Sequence, residues 1–426
     1  MSKMDSRIVA VVVGLAMAAV AFTSFATRTR SACEQLSPNP NPAGSQHNFD
    51  SRDGCNELDD YENFGTLINS GKFDNAGALR NFGKLHNLGA LNNFGDISNV
   101  QSRSGNTRND GTLNNFGNVG GYGSTKNTGI LNNYGTFNAG DFGENSGVIN
   151  NYSDATLSSE QRFTNDGVVN NTLGGTVRTG IGWINNGTLD NGGSLDFEKA
   201  RFLNNKWIIR IHSCASLETA HEINNAGLIN CEGTLTSNGV VNNSGRFYVS
   251  GSGSVTGVGV FGQSAGVTLV DGTLSQTAVR VNGGTLSGSG SIESEVTLTG
   301  GTMAPGSSAV GAIGITGSYT QTGGGEYAVD IGGSRAGVDH DVMRVSGTVR
   351  LDGQLRVVLY DSGGRRFAPG EADTFDILRA DSIVGVFSGF RFAPLDETLE
   401  WKVSYLKDAD GSIDIVRLSV NRINGR

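Results

Sequence analysis

The sequence has little charge and almost no proline. Charged residues make up 17% of the 426 positions and prolines number 6, whereas a typical soluble domain is about a quarter charged. Low charge with so few prolines argues against a disordered chain solvated by its own charges. Lys and Arg total 32 against 41 Asp and Glu, a net charge of -9. Phosphate neutralisation needs basic clusters, so no nucleic-acid partner is expected. Glycine, with 64 residues, shows no strict every-third spacing, which excludes a collagen-like helix. Asparagine, with 41, is unusually abundant. Both residue types disfavour helix. What remains is a β-rich, turn-dense protein.

No second long apolar run follows the one at 8–26. Lys3 and Arg7 precede that run, and Ser24-Phe25-Ala26 is a small-residue cleavage site. The pattern reads as a secretory signal peptide over 1–26. A retained N-terminal anchor is the alternative, since about 19 apolar residues can just span a bilayer. The expected location is secreted or cell-surface. Four cysteines suit that oxidising compartment. Sequence proximity pairs Cys33 with Cys55 and Cys214 with Cys231 as expected disulfides. A metal site needs tighter His/Cys clusters, so neither metal nor cofactor is expected.

Repeats decide the architecture. Asparagine recurs every six residues at Asn63, Asn69, Asn75, Asn81, Asn87, Asn93 and Asn99. Glycine follows two positions after each of the first six, and an apolar residue two beyond that: Leu67, Phe73, Leu79, Leu85, Leu91 and Ile97. A longer period of 18 relates Asn109-Asp-Gly-Thr-Leu-Asn-Asn-Phe116, Asn127-Thr-Gly-Ile-Leu-Asn-Asn-Tyr134 and Asn145-Ser-Gly-Val-Ile-Asn-Asn-Tyr152. Phe64 and Phe82, also 18 apart, are placed in the same aromatic slot. A period near 20 marks a solenoid, and six-residue units lack the 3.6-residue period of a helix. Three units per turn give three short strands joined by tight corners. The expected fold is all-β: a single-stranded β-helix, about 13 coils and about 60 Å long at about 4.8 Å per coil. Strict hexads suit a left-handed prism, while coils of 19–21 residues suit the right-handed form, which is favoured. Corner glycines are expected to supply positive φ, and stacked asparagines to form amide ladders. Phe116, Tyr134 and Tyr152 are expected to stack as one interior row.

Composition shifts near 245. Residues 56–243 hold 35 asparagines and residues 244–426 hold three. The organisation expected is a polar linker or N-terminal cap over 27–57, an Asn-rich solenoid over 58–245, a Gly/Ser/Thr-rich solenoid over 246–316 and an antiparallel β cap region over 317–426. Within this half, Gly283-Gly-Thr-Leu-Ser-Gly-Ser-Gly-Ser-Ile292, Gly300-Gly-Thr-Met-Ala-Pro-Gly-Ser307 and Gly317-Ser-Tyr-Thr-Gln321 stand in order. Asp341-Val-Met-Arg-Val-Ser-Gly347, Leu351-Asp-Gly353 and Gly385-Val-Phe387 follow. Over about 280–390 these strings resemble the passenger-associated β-strand repeat of bacterial autotransporters. The resemblance implies a surface-exposed or released β-helix, commonly an adhesin. The sequence departs from that family in lacking the alternating ten-residue strands of a C-terminal outer-membrane barrel. A separate outer-membrane translocator is therefore the expected partner in export.

Few residues invite chemistry. The repeat breaks over 197–222, where Glu198, Arg201, Arg210, His212, Glu218 and His221 are candidates to line a ligand groove. Paired carboxylates there suit glycoside cleavage, although an insertion loop is the simpler reading and no catalytic residue is assigned. Asp339-His340-Asp341 reads as a turn before a strand, and His86 as a surface residue. Gly262-Gln-Ser-Ala-Gly266 matches a nucleophile pattern that needs a following helix; the next residues are strand-like. The first outward slots Thr66, Lys72, Ala78, Lys84, Ala90 and Asp96 are too mixed for an ice-binding array. Two functions remain. The preferred one is a non-enzymatic adhesin-like or structural rod holding extracellular polysaccharide or a surface protein. The other is a secreted polysaccharide lyase or glycoside hydrolase on the same fold.

Overall fold

The computed structural model describes residues 34–49, 53–56, 60–100, 105–306, 309–362, 365–407 and 411–423. The signal segment and Cys33 lie outside the described residues. Within them there is no helix. Short strands pair in parallel one coil apart: Thr66–Asn69 with Lys84–Asn87, Lys72–Asn75 with Ala90–Asn93, and Ala78–Asn81 with Asp96–Asn99. Every third strand stacks, so the chain winds as a three-sided, right-handed β-solenoid. From Lys72–Asn75 to Gly301–Pro305 one side carries thirteen strands. We label the sides by representative strands: face A contains Ala78–Asn81, face B Lys84–Asn87 and face C Ala90–Asn93.

Each strand has four positions. The second and fourth point inward and the first and third outward, as strand pleating requires. Leu67, Phe73, Leu79, Leu85 and Leu91 fill the second position and are buried. The fourth position is asparagine, and it is equally buried. Three inward amide ladders result. One runs through Asn41, Asn63, Asn81 and Asn99, each Nδ2 donating to the next Oδ1 at 2.7–2.8 Å. A second begins at Asn69 and passes through Asn87, Asn109, Asn127, Asn145, Asn165, Asn185, Asn205 and Asn225 to Asn243, at 2.7–2.9 Å. A third links Asn75, Asn93, Asn115, Asn133, Asn151, Asn171 and Asn191 at 2.7–2.8 Å. The remaining Nδ2 hydrogen reaches a backbone carbonyl, as from Asn133 to Thr156 at 2.9 Å. Buried amides so satisfied carry no desolvation debt.

Corner glycines such as Gly174, Gly266 and Gly284 have the expected positive φ, but those of the six-residue unit serve a different purpose. Gly83 and Gly129 do not have positive φ. A Cβ on Gly83 would lie 1.9 Å from the carbonyl oxygen of Gly65, and one on Gly129 2.0 Å from that of Gly111. Close stacking of corners, rather than left-handed backbone, excludes a side chain. Trp207 stands where the unit has glycine. Beside it the bond from Ile208 N to Gly187 O stretches to 3.3 Å, against 2.9 Å from Thr188 N to Gly167 O one coil below.

The aromatic residues that follow inward asparagines form two rows, and neither is inside; the row that is inside is a different one, Phe163, Trp183 and Phe197. Phe94, Phe116, Tyr134 and Tyr152 stack at the corner between faces C and A, with ring centroids 5.0, 4.8 and 4.3 Å apart and planes within 5°. Phe64 and Phe82 stack at 4.6 Å at the corner between faces A and B. The residue after an inward asparagine must point outward. Stacking leaves Phe116, Tyr134 and Tyr152 half-buried. Burial and a hydrogen bond to Tyr152 push the Tyr134 hydroxyl well above its ordinary pKa.

The Cys214–Cys231 disulfide is also corrected: both are free thiols. Cys214 sits exposed in a corner with φ 70°, while Cys231 stacks on Ile211 with its side chain in the core. The two side chains point to opposite sides of the wall. Burial pushes the Cys231 thiol up to about 12, so it is an inert core group.

Parallel coiling carries on past Gly317. Gly325–Ile331 pairs with Gln354–Leu359, which pairs with Gly389–Phe392. Antiparallel pairing joins Thr374–Gly385 to Ile413–Arg422, and Ile413–Arg422 to Leu399–Lys407. These strands bury Phe375, Val416, Leu418 and Val420 at the end of the solenoid and close part of its last edge.

Two substitutions check this packing. Asn127→Ala removes the donor to Asn145 Oδ1 and the acceptor for Asn109. The orphaned groups should cost about 2–4 kcal/mol, seen as a lower melting temperature and faster amide exchange in neighbouring coils. Tyr134→Ala removes two ring contacts while leaving no enclosed cavity. Its cost should be about 1–3 kcal/mol; a loss as large as a buried aromatic's, about 3–5 kcal/mol, would contradict the outer placement.

Candidate ligand-binding face

The first outward slots become informative once they are sorted by face. On face A nine successive coils place a hydroxyl there: Thr136, Thr156, Thr176, Ser194, Ser216, Thr234, Ser254, Thr273 and Ser291. Each is the direct register partner of the next. At about 4.8 Å per coil the row is about 38 Å long. All nine are half-buried or exposed. The signal was present in the sequence as a small buried residue followed by Ser or Thr, as in Gly175-Thr176, Gly193-Ser194 and Ala215-Ser216. Reading successive units in chain order mixed the three faces and hid it.

The third slot of the same strands carries polar and charged groups: Asn138, Ser158, Arg178, Asp196, Glu218, Thr236 and Thr256, again in register. Arg178 Nε donates to Asp196 Oδ2 at 3.0 Å, and Asn138 Nδ2 to Glu160 Oε1 at 2.8 Å. Both members of the Arg178–Asp196 pair are solvent-exposed, so the pair adds little stability and remains open to a ligand. A shallow depression of about 310 Å³ is lined by Ser158, Glu160, Arg178, Thr179, Asp196 and Glu198, among others.

The six residues singled out at 197–222 do not line one groove. Glu198 joins the depression, and Glu218 lies one coil on from Asp196 on face A. Arg201 and His221 sit exposed one above the other at the corner between faces A and B, just before the paired residues Phe202 and Glu222. Arg210 points outward from face C, in register with Asp190. His212 is at the opposite edge of face A, its Nε2 2.5 Å from Asp190 Oδ1. The segment is no insertion loop: its strands Ser194–Phe197, Phe202–Asn205, Ile208–Ile211 and Ser216–Thr219 keep the coil.

Other polar clusters are structural. Asp110 joins coils at the corner between faces B and C, receiving hydrogen bonds from Arg108 at 2.7 and 2.9 Å, from His86 at 2.7 Å and from Thr128. Burial pushes its carboxyl up, but these donors and the Arg108 charge outweigh it and hold it at about 2. Asp339-His340-Asp341 is a turn whose side chains diverge. Asp339 binds Arg335 at 2.8 and 2.9 Å. His340 is buried with Nδ1 2.9 Å from Gly333 O and its ring edge-on to Phe375. Asp341 accepts from Gly311 N at 2.7 Å and Asp330 N at 2.9 Å. The Gly262-Gln-Ser-Ala-Gly266 string runs from the strand Val260–Gln263 through a corner into the strand Val267–Val270, without the helix a nucleophile elbow requires. Among the described residues no three His, Cys, Asp or Glu side chains are placed to hold a metal ion.

No family model matches the chain, and no curated protein matches it.

Asp341 generates a pH prediction. Burial pushes its carboxyl up to about 7 against the pull of its two N–H donors. Burial also raises Asp330, opposed by Arg356. A carboxyl whose folded pKa exceeds its unfolded value of about 3.9 binds its proton more tightly when folded. Its stabilising contribution is full below about pH 4 and is lost as pH rises through about 7. The stability of the C-terminal coils should therefore fall between about pH 4 and 7. Asp341→Asn, which does not titrate, should flatten that fall; an unchanged slope by thermal melting would contradict the assignment.

Proposed function

We propose that this chain is an exported, non-enzymatic rod that acts at the cell surface or outside the cell by adhesion or structural display. Its ligand on this reading is an extended polysaccharide laid along face A. The carrying observation is the nine-coil hydroxyl row beside a polar, partly charged third slot. Hydroxyls, a guanidinium and carboxylates are the groups that hydrogen-bond sugar hydroxyls, and a repeated row provides many weak contacts along a chain. Arg178, Asp196 and Glu218 stand beside the hydroxyl row in the third slot and suit a sugar better than a lattice of ordered water. Export rests on the apolar run at 8–26, and surface display with a separate translocator on the autotransporter resemblance over about 280–390. Fold by itself assigns none of these roles.

One observation favours the enzymatic alternative. Asp196 and Glu218 are register partners on adjacent parallel strands, so two carboxylates project from neighbouring coils of one face, the residue pair that glycoside cleavage uses. A single experiment separates the readings. The full chain is screened against bacterial and host polysaccharides by affinity electrophoresis, with reducing ends assayed in parallel. The adhesin reading expects retardation without release of reducing ends. Thr156→Val, Thr234→Val and Ser254→Ala should each weaken binding about 2- to 10-fold, the worth of one hydrogen bond. Sugar release abolished by Asp196→Asn or Glu218→Gln would overturn it in favour of the enzyme. Binding indifferent to the three hydroxyl substitutions would remove face A as the site.

A further inference from the structure

Face C differs from the other two in being nearly free of charge. Its first outward slot reads Ala90, Thr112, Ile130, Val148, Val168, Thr188, Ile208 and Leu228 over eight paired coils. Its third slot reads Asn92, Asn114, Asn132, Asn150, Asn170, Asp190, Arg210 and Asn230 in the same register. The aliphatic row is only partly covered, and Ile130 is 43% exposed. The asparagines form a fourth, outward ladder: Asn92 donates to Asp74, Asn114 to Asn92, Asn132 to Asn114, Asn150 to Asn132 and Asn170 to Asn150, at 2.7–2.9 Å. Each amide in it spends one N–H on the neighbouring coil, leaving a donor and acceptor capacity facing out. The stacked aromatic row borders the face, its ring faces used on one another and its edges outward.

We propose that face C pairs with face C of a second copy of this chain, the two rods antiparallel. The repeat length carries the argument. A surface whose aliphatic and amide groups recur every coil, about 4.8 Å, is matched along its whole length by another stack of parallel strands, and a second copy has the same spacing. Pleated faces of this composition interdigitate as dry, amide-laddered interfaces about 10 Å apart.

Charge sets the register. Between Ala90 and Pro305 the outward charges on the strands of this face are Asp190 and Arg210, one coil apart, and Arg246, the register partner of Leu228. A two-fold axis along the strands and midway between the Asp190 and Arg210 coils turns row onto row. It sets Asp190 opposite the partner's Arg210, Thr188 opposite the partner's Ile208, Val168 opposite the partner's Leu228, Asn170 opposite the partner's Asn230 and Arg246 opposite the partner's Val148. Asp190 is also held by His212 of its own chain. About this axis the twelve face-C strands from Ala90–Asn93 to Gly301–Pro305 overlap completely. At about 58 Å by about 13 Å they bury about 750 Å² per partner, about 1,500 Å² in all, the size of a standard stable interface.

Sedimentation of the full chain tests the pairing independently of any polysaccharide. The native protein should be dimeric at micromolar concentration. Val168→Lys should weaken association about tenfold or more, with melting temperature as the folding control. Thr176→Lys on face A should leave it unchanged. Asp190→Arg should weaken it by opposing two arginines, and Asp190→Arg with Arg210→Asp should restore it. A native monomer, or a dimer indifferent to Val168→Lys, would overturn the proposal. Loss with Val168→Lys but no rescue by the charge exchange would overturn the antiparallel register while supporting the face.

Discussion

A primary amide can donate to the coil above while accepting from the coil below, and the Asn-rich part of this structure, up to Asn243, depends on that bond being made coil after coil. The inward ladder starting at Asn69 makes it across ten residues without a gap. An amide buried without partners costs more than one left in water, so each asparagine constrains the register of its neighbours. Coil length can vary only where the ladders are undisturbed. Asn69 to Asn87 spans 18 residues and Asn87 to Asn109 spans 22, yet both bonds are 2.7 Å.

The change of composition near 245 has a local cause in these columns. Where the third ladder ends at Asn191, the same inward position continues as Ile211, Cys231, Val249 and Val270. Where the second ends, Asn243 Nδ2 donates instead to Thr268 Oγ1 at 3.0 Å. Apolar stacking replaces amide bonding without a change of fold, because both fill a column at one residue per coil. Cys231 belongs to such a column, which is why its thiol is inert and its partner is an isoleucine below rather than Cys214 beside it.

Inward positions are constrained by packing and outward ones are not, so the three faces have diverged. Face A gathers hydroxyls, face C aliphatic groups and amides, and face B exposed charges such as Lys84, Arg108, Lys126 and Glu144. Ion pairs on this surface, Lys126 with Glu144 at 3.3 Å for instance, join neighbouring coils but lie in water and contribute little. The surface chemistry is therefore available for binding, while the core amides set the shape.

The six-residue period by itself determined the solenoid. It fixed which positions face inward, that asparagines stack, and roughly how many coils there are, because a repeat near 20 residues has few ways to bury an apolar column. The turn at Asp339-His340-Asp341 was equally legible. Tertiary structure decided the matters that depend on which corner a residue occupies. Phe64 and Tyr134 share a place in the unit but stand at different corners. The aromatic rows lie outside because the residue after an inward asparagine must point to solvent. Arg201, Arg210 and Glu218 are near in sequence yet fall on different sides of the rod, since about six residues carry the chain to the next face. The hydroxyl row of face A is spread over more than 150 residues of sequence and becomes one surface only when coils stack. Proximity across a solenoid is set by coil length, and along the inward asparagine ladders coil length varies between 18 and 22 residues. Which side chains meet is therefore known only once the register of every coil is known.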